Sequence, residues 1–92
     1  MKNFTRTKTG DLLRIPRVKA AFGCCKATVY NWIKDGLFTP PVRVGKRMSV
    51  WPENEVNAIV AARILGKSDD IIRALVLQLL KDRQMEQGVN YV

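Results

Sequence analysis

Residues 24–36 read CCKATVYNWIKDG, and this stretch decides the fold. As a helix it places Val29, Trp32 and Ile33 on one apolar stripe, because residues three and four apart lie on the same face. Small and polar side chains occupy the opposite face, and Gly36 can adopt the left-handed conformation that ends a helix. A helix with such an outer face, entered through a tight turn, is typical of the second helix of a helix-turn-helix, which lies in the major groove of DNA.

A shorter helix is predicted just before this stretch, over residues 14–23. Its apolar residues Val18, Ala21 and Phe22 have helical spacing. Pro16 suits the first turn of a helix, and a glycine at the end of the segment stops it. The two segments together predict helix, short turn, helix.

A β-hairpin is predicted after the second helix. Pro40 and Pro41 exclude a further helical turn there. Residues 42–44 and 48–51 alternate apolar and polar side chains, as short strands do, and the basic tip 45–47 lies between them. An isolated hairpin is not stable in water. We therefore expect it to pack on the helices through four apolar side chains: Val42, Val44, Val50 and Trp51.

Two more helices are predicted downstream. Pro52 and two acidic residues favour the start of the third helix, and its apolar face continues to Ile64. Ser68 is a good N-cap for the fourth, with acidic residues in its first turn. This last helix is expected to run to about Gln87.

The fourth helix has two interpretations, because its apolar residues cover a wide arc. It either caps the core of a small domain or offers Leu77 and Leu80 to a second copy or to a partner protein. An exposed apolar patch usually marks an interaction site. A homo-oligomer formed through residues 68–87 is therefore one of the two alternatives.

These elements predict a mainly helical fold with a small β-hairpin. The arrangement is typical of a winged helix-turn-helix, here with an added C-terminal helix. The DNA-binding domain is assigned to residues 14–66, and the core-capping or oligomerisation helix to residues 67–92. Residues 1–13 show no apolar periodicity, so we expect a flexible basic arm there.

The distribution of charge indicates a polyanionic partner. The chain has a net charge of +8. Residues 1–50 hold 11 Lys or Arg and 2 Asp or Glu, a net charge of +9, whereas residues 51–92 hold 5 and 6, a net charge of −1. Solubility alone does not require this segregation, but binding to nucleic acid does.

Several functional classes are disfavoured by composition. The chain has no histidine and only two cysteines, which are adjacent, so it offers almost no ligands for a metal site. No phosphate-binding loop pattern occurs, and the acidic residues lie mostly at helix starts, so we expect no catalytic residue and no cofactor. With neither a signal peptide nor an apolar run of about 20 residues, the sequence predicts a cytoplasmic protein without a membrane segment.

The candidate DNA contacts follow from side-chain chemistry. Asn31 can form a bidentate pair with adenine, and Ala27 is small enough to approach a thymine methyl group. The full set expected in the major groove is Lys26, Ala27, Thr28, Tyr30, Asn31 and Lys34. On the wing, the candidates for backbone contacts are Arg43, Lys46 and Arg47. Further candidates for phosphate contacts lie on the first helix: Arg14, Arg17 and Lys19.

A series of short motifs runs in order through about 50 residues. The series comprises Arg14-Ile15-Pro16-Arg17-Val18, Gly23, Ala27-Thr28-Val29-Tyr30-Asn31-Trp32-Ile33, Gly36-Leu37-Phe38, Pro41-Val42-Arg43-Val44-Gly45, Arg47, Trp51 and Glu55-Val56. Its order and spacing resemble the AlpA-type regulators of phages and genomic islands, which are related to MerR-like winged helix-turn-helix proteins and to phage excisionases.

This resemblance implies sequence-specific binding to double-stranded DNA and control of a prophage or an integrated mobile element. Members of the family act as transcriptional regulators or as excisionases (recombination directionality factors), which implies an integrase as a partner. By position, the resemblance assigns base and phosphate contacts to the same outer face of the second helix and backbone contacts to the same wing. The chain departs from the pattern at Cys25, where a Ser or Thr cap is usual, and residues 67–92 extend beyond the family core.

Two other functions remain alternatives at this stage. One is a protein-interaction module or inhibitor that acts through the C-terminal helix. The other is an architectural protein that binds DNA without sequence preference.

Overall fold

The computed structural model describes residues 10–88, so the predicted arm over residues 1–9 lies outside the described part of the chain. Within residues 10–88, three short strands and four helices follow in the order β1 (Leu12–Leu13), α1 (Ile15–Phe22), α2 (Lys26–Lys34), β2 (Val42–Arg43), β3 (Ser49–Pro52), α3 (Glu53–Ile64) and α4 (Asp69–Gly88). The fold is mainly helical with a small sheet. It is compatible with a small DNA-binding domain of the helix-turn-helix type.

The sheet is antiparallel, with β3 in the centre and β1 and β2 at its edges. Leu13 pairs with Trp51, and the buried Leu13 side chain joins the core. Strand β1 contradicts the flexible arm predicted as far as residue 13. A two-residue strand is too short to show alternation in the sequence, and only its pairing with β3 reveals it.

The predicted hairpin is confirmed in its main features. Val42 pairs with Val50, and the backbone N–H of Val44 donates to the Met48 carbonyl oxygen at 2.8 Å. Val50 and Trp51 are buried and Val42 is half-buried, as expected. The expectation for Val44 is wrong, since this residue is 42% exposed. The helices cover the base of the hairpin but not its tip.

Helices α1 and α2 begin and end close to the predicted positions. Gly36 has a φ of 79°, in the left-handed region. The N–H of Leu37 donates to the Trp32 carbonyl oxygen at 2.8 Å, and the N–H of Gly36 donates to the Ile33 carbonyl oxygen at 3.1 Å. These two bonds form a Schellman motif, which satisfies carbonyl groups at the end of α2.

One hydrophobic core joins the sheet to all four helices. Trp51 lies within it, stacked on Phe38 with ring centroids 6.0 Å apart. Trp32, which the sequence places on the apolar stripe of α2, is half-buried and packs against this core. It meets Phe22 edge to face at 5.2 Å, and the Arg63 guanidinium lies 5.0 Å from its centroid, a cation–π arrangement.

Helix α3 buries a slightly different face from the predicted one. Val56 and Ile59 are fully buried, but Ile64 is 79% exposed and Ala62 is buried instead. Ile64 is the last residue of α3, where the chain already turns towards α4.

Helix α4 packs on α3 and contributes to the common core. Ile72, Val76 and Leu79 are buried on one face, and Leu80 is half-buried against the core. Leu77 is 65% exposed. The packing agrees with the core-capping interpretation and leaves Leu77, but not Leu80, mainly in solvent.

Candidate nucleic-acid interface

A basic groove lies between the start of α1, helix α2 and the β2–β3 hairpin. Its volume is about 660 Å³. Five cationic side chains line it: Arg14, Lys26, Arg43, Lys46 and Arg47. The remaining lining residues are Ile15, Pro16, Tyr30 and Ser49, so among the described residues no acidic side chain lines the groove. Three separate elements thus bring positive charge to one concave surface.

The β2–β3 hairpin supplies three of these cations, Arg43 from β2 and Lys46 and Arg47 from the tip. The Arg43 guanidinium donates through Nη2 to the Lys46 carbonyl oxygen at 3.2 Å. Gly45, with a φ of 79°, permits the tight turn that makes this bond possible. Lys46 and Arg47 are exposed. Arg43 therefore holds the turn as well as lining the groove, and Lys46 and Arg47 line the groove as exposed side chains.

The outer face of α2 is exposed, as the periodicity predicts. Val29 is fully buried, and Lys26, Ala27, Asn31 and Lys34 are exposed. Because Lys26 lines the groove, this face is continuous with it.

Tyr30 connects α2 to the sheet. Its ring meets Trp51 edge to face with centroids 6.1 Å apart, yet 38% of the residue remains exposed and lines the groove. The packing on Trp51 restricts the orientation of the ring. Tyr30 therefore forms the part of the groove surface between α2 and the hairpin, with its ring held in place by Trp51.

The N-terminus of α2 has an unusual cap. Cys25 occupies the N-cap position and makes no side-chain capping hydrogen bond to the helix backbone. Its Sγ lies 3.3 Å from Thr28 Oγ1. The hydrogen bond with Thr28 lowers the pKa of the exposed Cys25 thiol, whereas burial raises the pKa of the neighbouring Cys24 thiol. Thr28 is half-buried and partly engaged with Cys25, so it is less available to an external ligand than Asn31.

The family model described as Prophage CP4-57 regulatory protein (AlpA) matches residues 11–64, more than half of the chain. The chain belongs to the AlpA family. The match begins just before β1 and ends at the last residue of α3, so it includes every residue that lines the groove.

A second comparison links this AlpA-family protein to a phage. The chain is 38% identical over 55 residues to the uncharacterized protein ORF88 of Enterobacteria phage P4. The aligned segment covers 60% of this chain and 62% of the phage protein, so the chain spans less than two thirds of that relative. No solved structure matches the chain. The family is thus described by a prophage regulatory protein, and the similar protein comes from a phage.

The remaining sequence candidates lie apart from the groove lining of this AlpA-family protein. Arg17 is exposed and Lys19 is half-buried on α1, and neither lines the groove, unlike Arg14. Ala27, Asn31 and Lys34 also lie outside the lining, on the exposed face of α2.

The sequence analysis missed three groove residues. Ser49 could have been found, because it is the polar residue before Val50 in an alternating strand and must face away from the core. Ile15 and Pro16 show no sequence signal for this role, since only the position of α1 relative to the hairpin brings them to the groove.

Two further observations concern ligands and membranes. Within residues 10–88, no group of three or more His, Cys, Asp or Glu residues is arranged to hold a metal ion. None of the helices in the described part of the chain has the length and apolar character needed to cross a membrane.

Proposed function

We propose that this protein is a sequence-specific, double-stranded DNA-binding regulator of a prophage or an integrated mobile element. It acts on transcription, on excision together with an integrase, or on both. In this proposal α1 and α2 form the helix-turn-helix, and the β2–β3 hairpin is the wing. The observation that carries the proposal is the groove, in which cations from the N-cap of α1, from α2 and from the hairpin meet, with no acidic side chain among the described residues that line it.

The groove is suited to a DNA backbone strand. Lys and Arg side chains that neutralise phosphates release condensed counterions, which supplies much of the binding free energy. The concave surface between α2 and the wing is where the sugar-phosphate backbone would pass if α2 occupied the major groove. Arg14, Lys26 and Arg47 would then contact backbone phosphates from three sides of the groove.

The exposed face of α2 is suited to reading bases. Ala27 and Asn31 are four residues apart and therefore lie on one face of the helix. Asn31 can donate to and accept from adenine at the same time, and Ala27 permits close approach. Lys34, one turn further along, would reach the backbone or a base edge.

The interaction-module alternative gains little support from α4. Its residues Ile72, Val76 and Leu79 are already buried within the chain, which leaves Leu77 and Ile71 as its exposed large apolar residues in the described part. A homo-oligomer through residues 68–87 therefore remains a proposal that rests on a smaller apolar surface than the sequence indicates.

The proposal is tested by selecting duplexes from a random library and then measuring binding across a salt series. A preferred duplex should bind at least about 10³-fold more tightly than a scrambled duplex of the same length. A steep salt dependence without a preferred duplex would indicate an architectural protein. Absence of binding at low salt would refute the DNA-binding proposal.

Two substitutions distinguish base recognition from contacts with the DNA backbone. Asn31→Ala should cost about 1–3 kcal/mol on the preferred duplex and little on the scrambled one. Arg47→Ala should weaken both duplexes about equally and reduce the salt slope by about 1. Asn57→Ala and Lys67→Ala, at exposed positions outside the groove, are the matched controls. If Asn31→Ala and Arg47→Ala changed the two affinities in the same ratio, the proposed division of roles would be wrong.

A further inference from the structure

Helix α4 lies outside the segment that matches the AlpA family, yet two of its arginines reach the segment that joins α2 to the hairpin. We call residues 35–41 the linker, because α2 ends at Lys34 and β2 begins at Val42. The linker is buried at its centre, at Leu37, Phe38 and Thr39. The positions of its two ends determine the orientation of α2 relative to the hairpin.

Arg73 holds the first end of the linker. Its Nε donates to the Asp35 carbonyl oxygen at 3.0 Å. Asp35 is the C-cap of α2, where carbonyl groups lack helical partners and carry partial negative charge. The Arg73 side chain also covers Gly36, since a Cβ built there would lie 3.8 Å from Arg73 Cγ. Arg73 thus supplies both a donor and a positive charge to the end of the helix.

Arg83 holds the second end. Its Nη2 donates to the Pro40 carbonyl oxygen at 3.1 Å, and its Nε donates to Glu55 Oε2 at 3.0 Å. Glu55 is a buried residue of α3, only 2% exposed. Nη2 also donates to Glu55 Oε1, so the bidentate ion pair anchors Arg83 on the core while the same Nη2 group bonds to the linker.

The middle of the linker is held from the sheet. Trp51 Nε1 donates to the Thr39 carbonyl oxygen at 3.0 Å. Side chains from α4 and β3 thus bond to the backbone of the linker at Asp35, Thr39 and Pro40. Of these three positions, the two nearest the ends of the linker depend on α4.

We propose that Arg73 and Arg83 are positioning residues for DNA recognition, through which α4 fixes the orientation of α2 relative to the wing and so sets discrimination between DNA sequences. This inference rests on the proposed function. Base recognition requires bidentate geometry, whereas long Lys and Arg side chains adapt to phosphates in many positions. Loss of the two contacts should therefore weaken the preferred duplex more than the scrambled one.

The DNA-binding test uses the full chain and the duplex selected by the wild-type protein. Arg73→Gln should lower the ratio of preferred to scrambled affinity at least about fivefold, with the scrambled affinity changed less than about twofold. Arg73→Lys keeps the positive charge but not the planar guanidinium donor, and it should lower the ratio of preferred to scrambled affinity by a similar factor. Lys81→Gln, which removes the same charge from an exposed position on α4, should leave the ratio unchanged. Equal ratios in Arg73→Gln, Lys81→Gln and wild type would overturn the inference.

Arg83 requires a paired design, because its removal alone would leave Glu55 buried without a partner. The double variant Glu55→Leu with Arg83→Met removes both charges and the bond to Pro40, and it should lower the ratio as Arg73→Gln does. Glu55→Gln keeps Arg83 and its bond to Pro40, so it should retain the wild-type ratio. Thermal unfolding of each variant identifies any change that comes from lost folding.

A measurement without DNA separates this inference from the proposed function. Spin labels at positions 34 and 46, with Cys24 and Cys25 replaced by Ser, report the distance between the end of α2 and the hairpin tip. In folded Arg73→Gln and in the folded double variant, the distance distribution should broaden or shift relative to wild type. An unchanged distribution would refute the positioning role, whereas a broadened one in a protein that binds no duplex would overturn the proposed function alone.

Discussion

At the residue scale, Cys25 stands where a helix usually has Ser, Thr, Asp or Asn. The sequence indicates that this cap is weak, and the structure agrees, because the thiol makes no capping bond to the helix backbone. The structure adds a partner that the periodicity does not reveal, Thr28, one turn along α2. The two adjacent cysteines consequently differ in environment: Cys25 is exposed and hydrogen-bonded, whereas Cys24 is half-buried.

This difference predicts unequal reactivity. The hydrogen bond with Thr28 lowers the pKa of Cys25, so its thiolate forms at lower pH than that of Cys24, whose pKa is raised by burial. Since the thiolate is the nucleophile, Cys25 should be alkylated faster than Cys24, most clearly between about pH 7 and pH 8.5. Iodoacetamide labelling of Cys24→Ser and Cys25→Ser variants across pH measures each thiol alone.

Thr28→Val is the control for the cause of this shift. It removes the hydroxyl group and should move the labelling profile of Cys25 to higher pH. The explanation would fail if the profile of Cys25 did not change in this variant, or if Cys24 were the faster thiol.

At the element scale, the end of α2 combines local and distant interactions. Gly36 and the Schellman bonds are local, and the glycine in the sequence predicts them. The cation that covers this helix end comes from Arg73, 38 positions away from Asp35. Similarly, the acidic residues at the start of α3 are interpreted from the sequence as favourable to the helix dipole, but the structure shows a further role. Glu55 pairs with Arg83, and Glu53 accepts a hydrogen bond from the Asp11 backbone N–H at 3.1 Å.

Gly36→Ala should destabilise the protein by about 1–2 kcal/mol. The cause is conformational, because an alanine at a φ of 79° is strained, while its Cβ would make only an ordinary contact with Arg73. Gly36→Asn should cost less, since asparagine tolerates the left-handed region better. Chemical denaturation of the two variants and wild type measures the differences in the free energy of unfolding. Equal costs for Ala and Asn would contradict the conformational explanation.

At the scale of the whole molecule, the C-terminal helix belongs to the same core as the helix-turn-helix segment. The core includes Val18 and Val29 from the N-terminal helices and Ile72, Val76 and Leu79 from α4. The sequence divides the chain at about residue 66, and the basic residues of the groove do lie before that point. The packing nevertheless depends on both parts, because α4 covers one side of α3.

Removal of residues 68–92 should abolish cooperative folding of the remainder. Burial of three aliphatic side chains contributes roughly 5–9 kcal/mol, which is comparable to the whole stability of a small domain. The truncated chain should show no cooperative thermal transition by circular dichroism, whereas the full chain should show one. A matched truncation after residue 88 should leave the transition nearly unchanged. If the chain truncated at residue 67 unfolded cooperatively near the wild-type temperature, α4 would not be part of the folding unit.

The sequence by itself determined the helices α1 and α2, the hairpin, the basic face and the family resemblance. The helices, the hairpin and the basic face depend on spacings of one to four residues, on glycines that permit a left-handed turn, and on charge, all of which are local properties of the chain. The resemblance depends on the order of such short motifs along about 50 residues. Cys25 as a weak cap and Trp32 as an apolar contact belong to the same class.

Only the tertiary structure decided which of these residues meet. It made β1 a strand, brought Arg14 to the groove with the hairpin cations, and left Val44 and Ile64 in solvent. It also placed Arg83 on Glu55 and Pro40, which are 28 and 43 positions away. Periodicity reports which face of an element is apolar, but it carries no information about the distant partner that covers that face, because the partner is selected by packing of the whole chain.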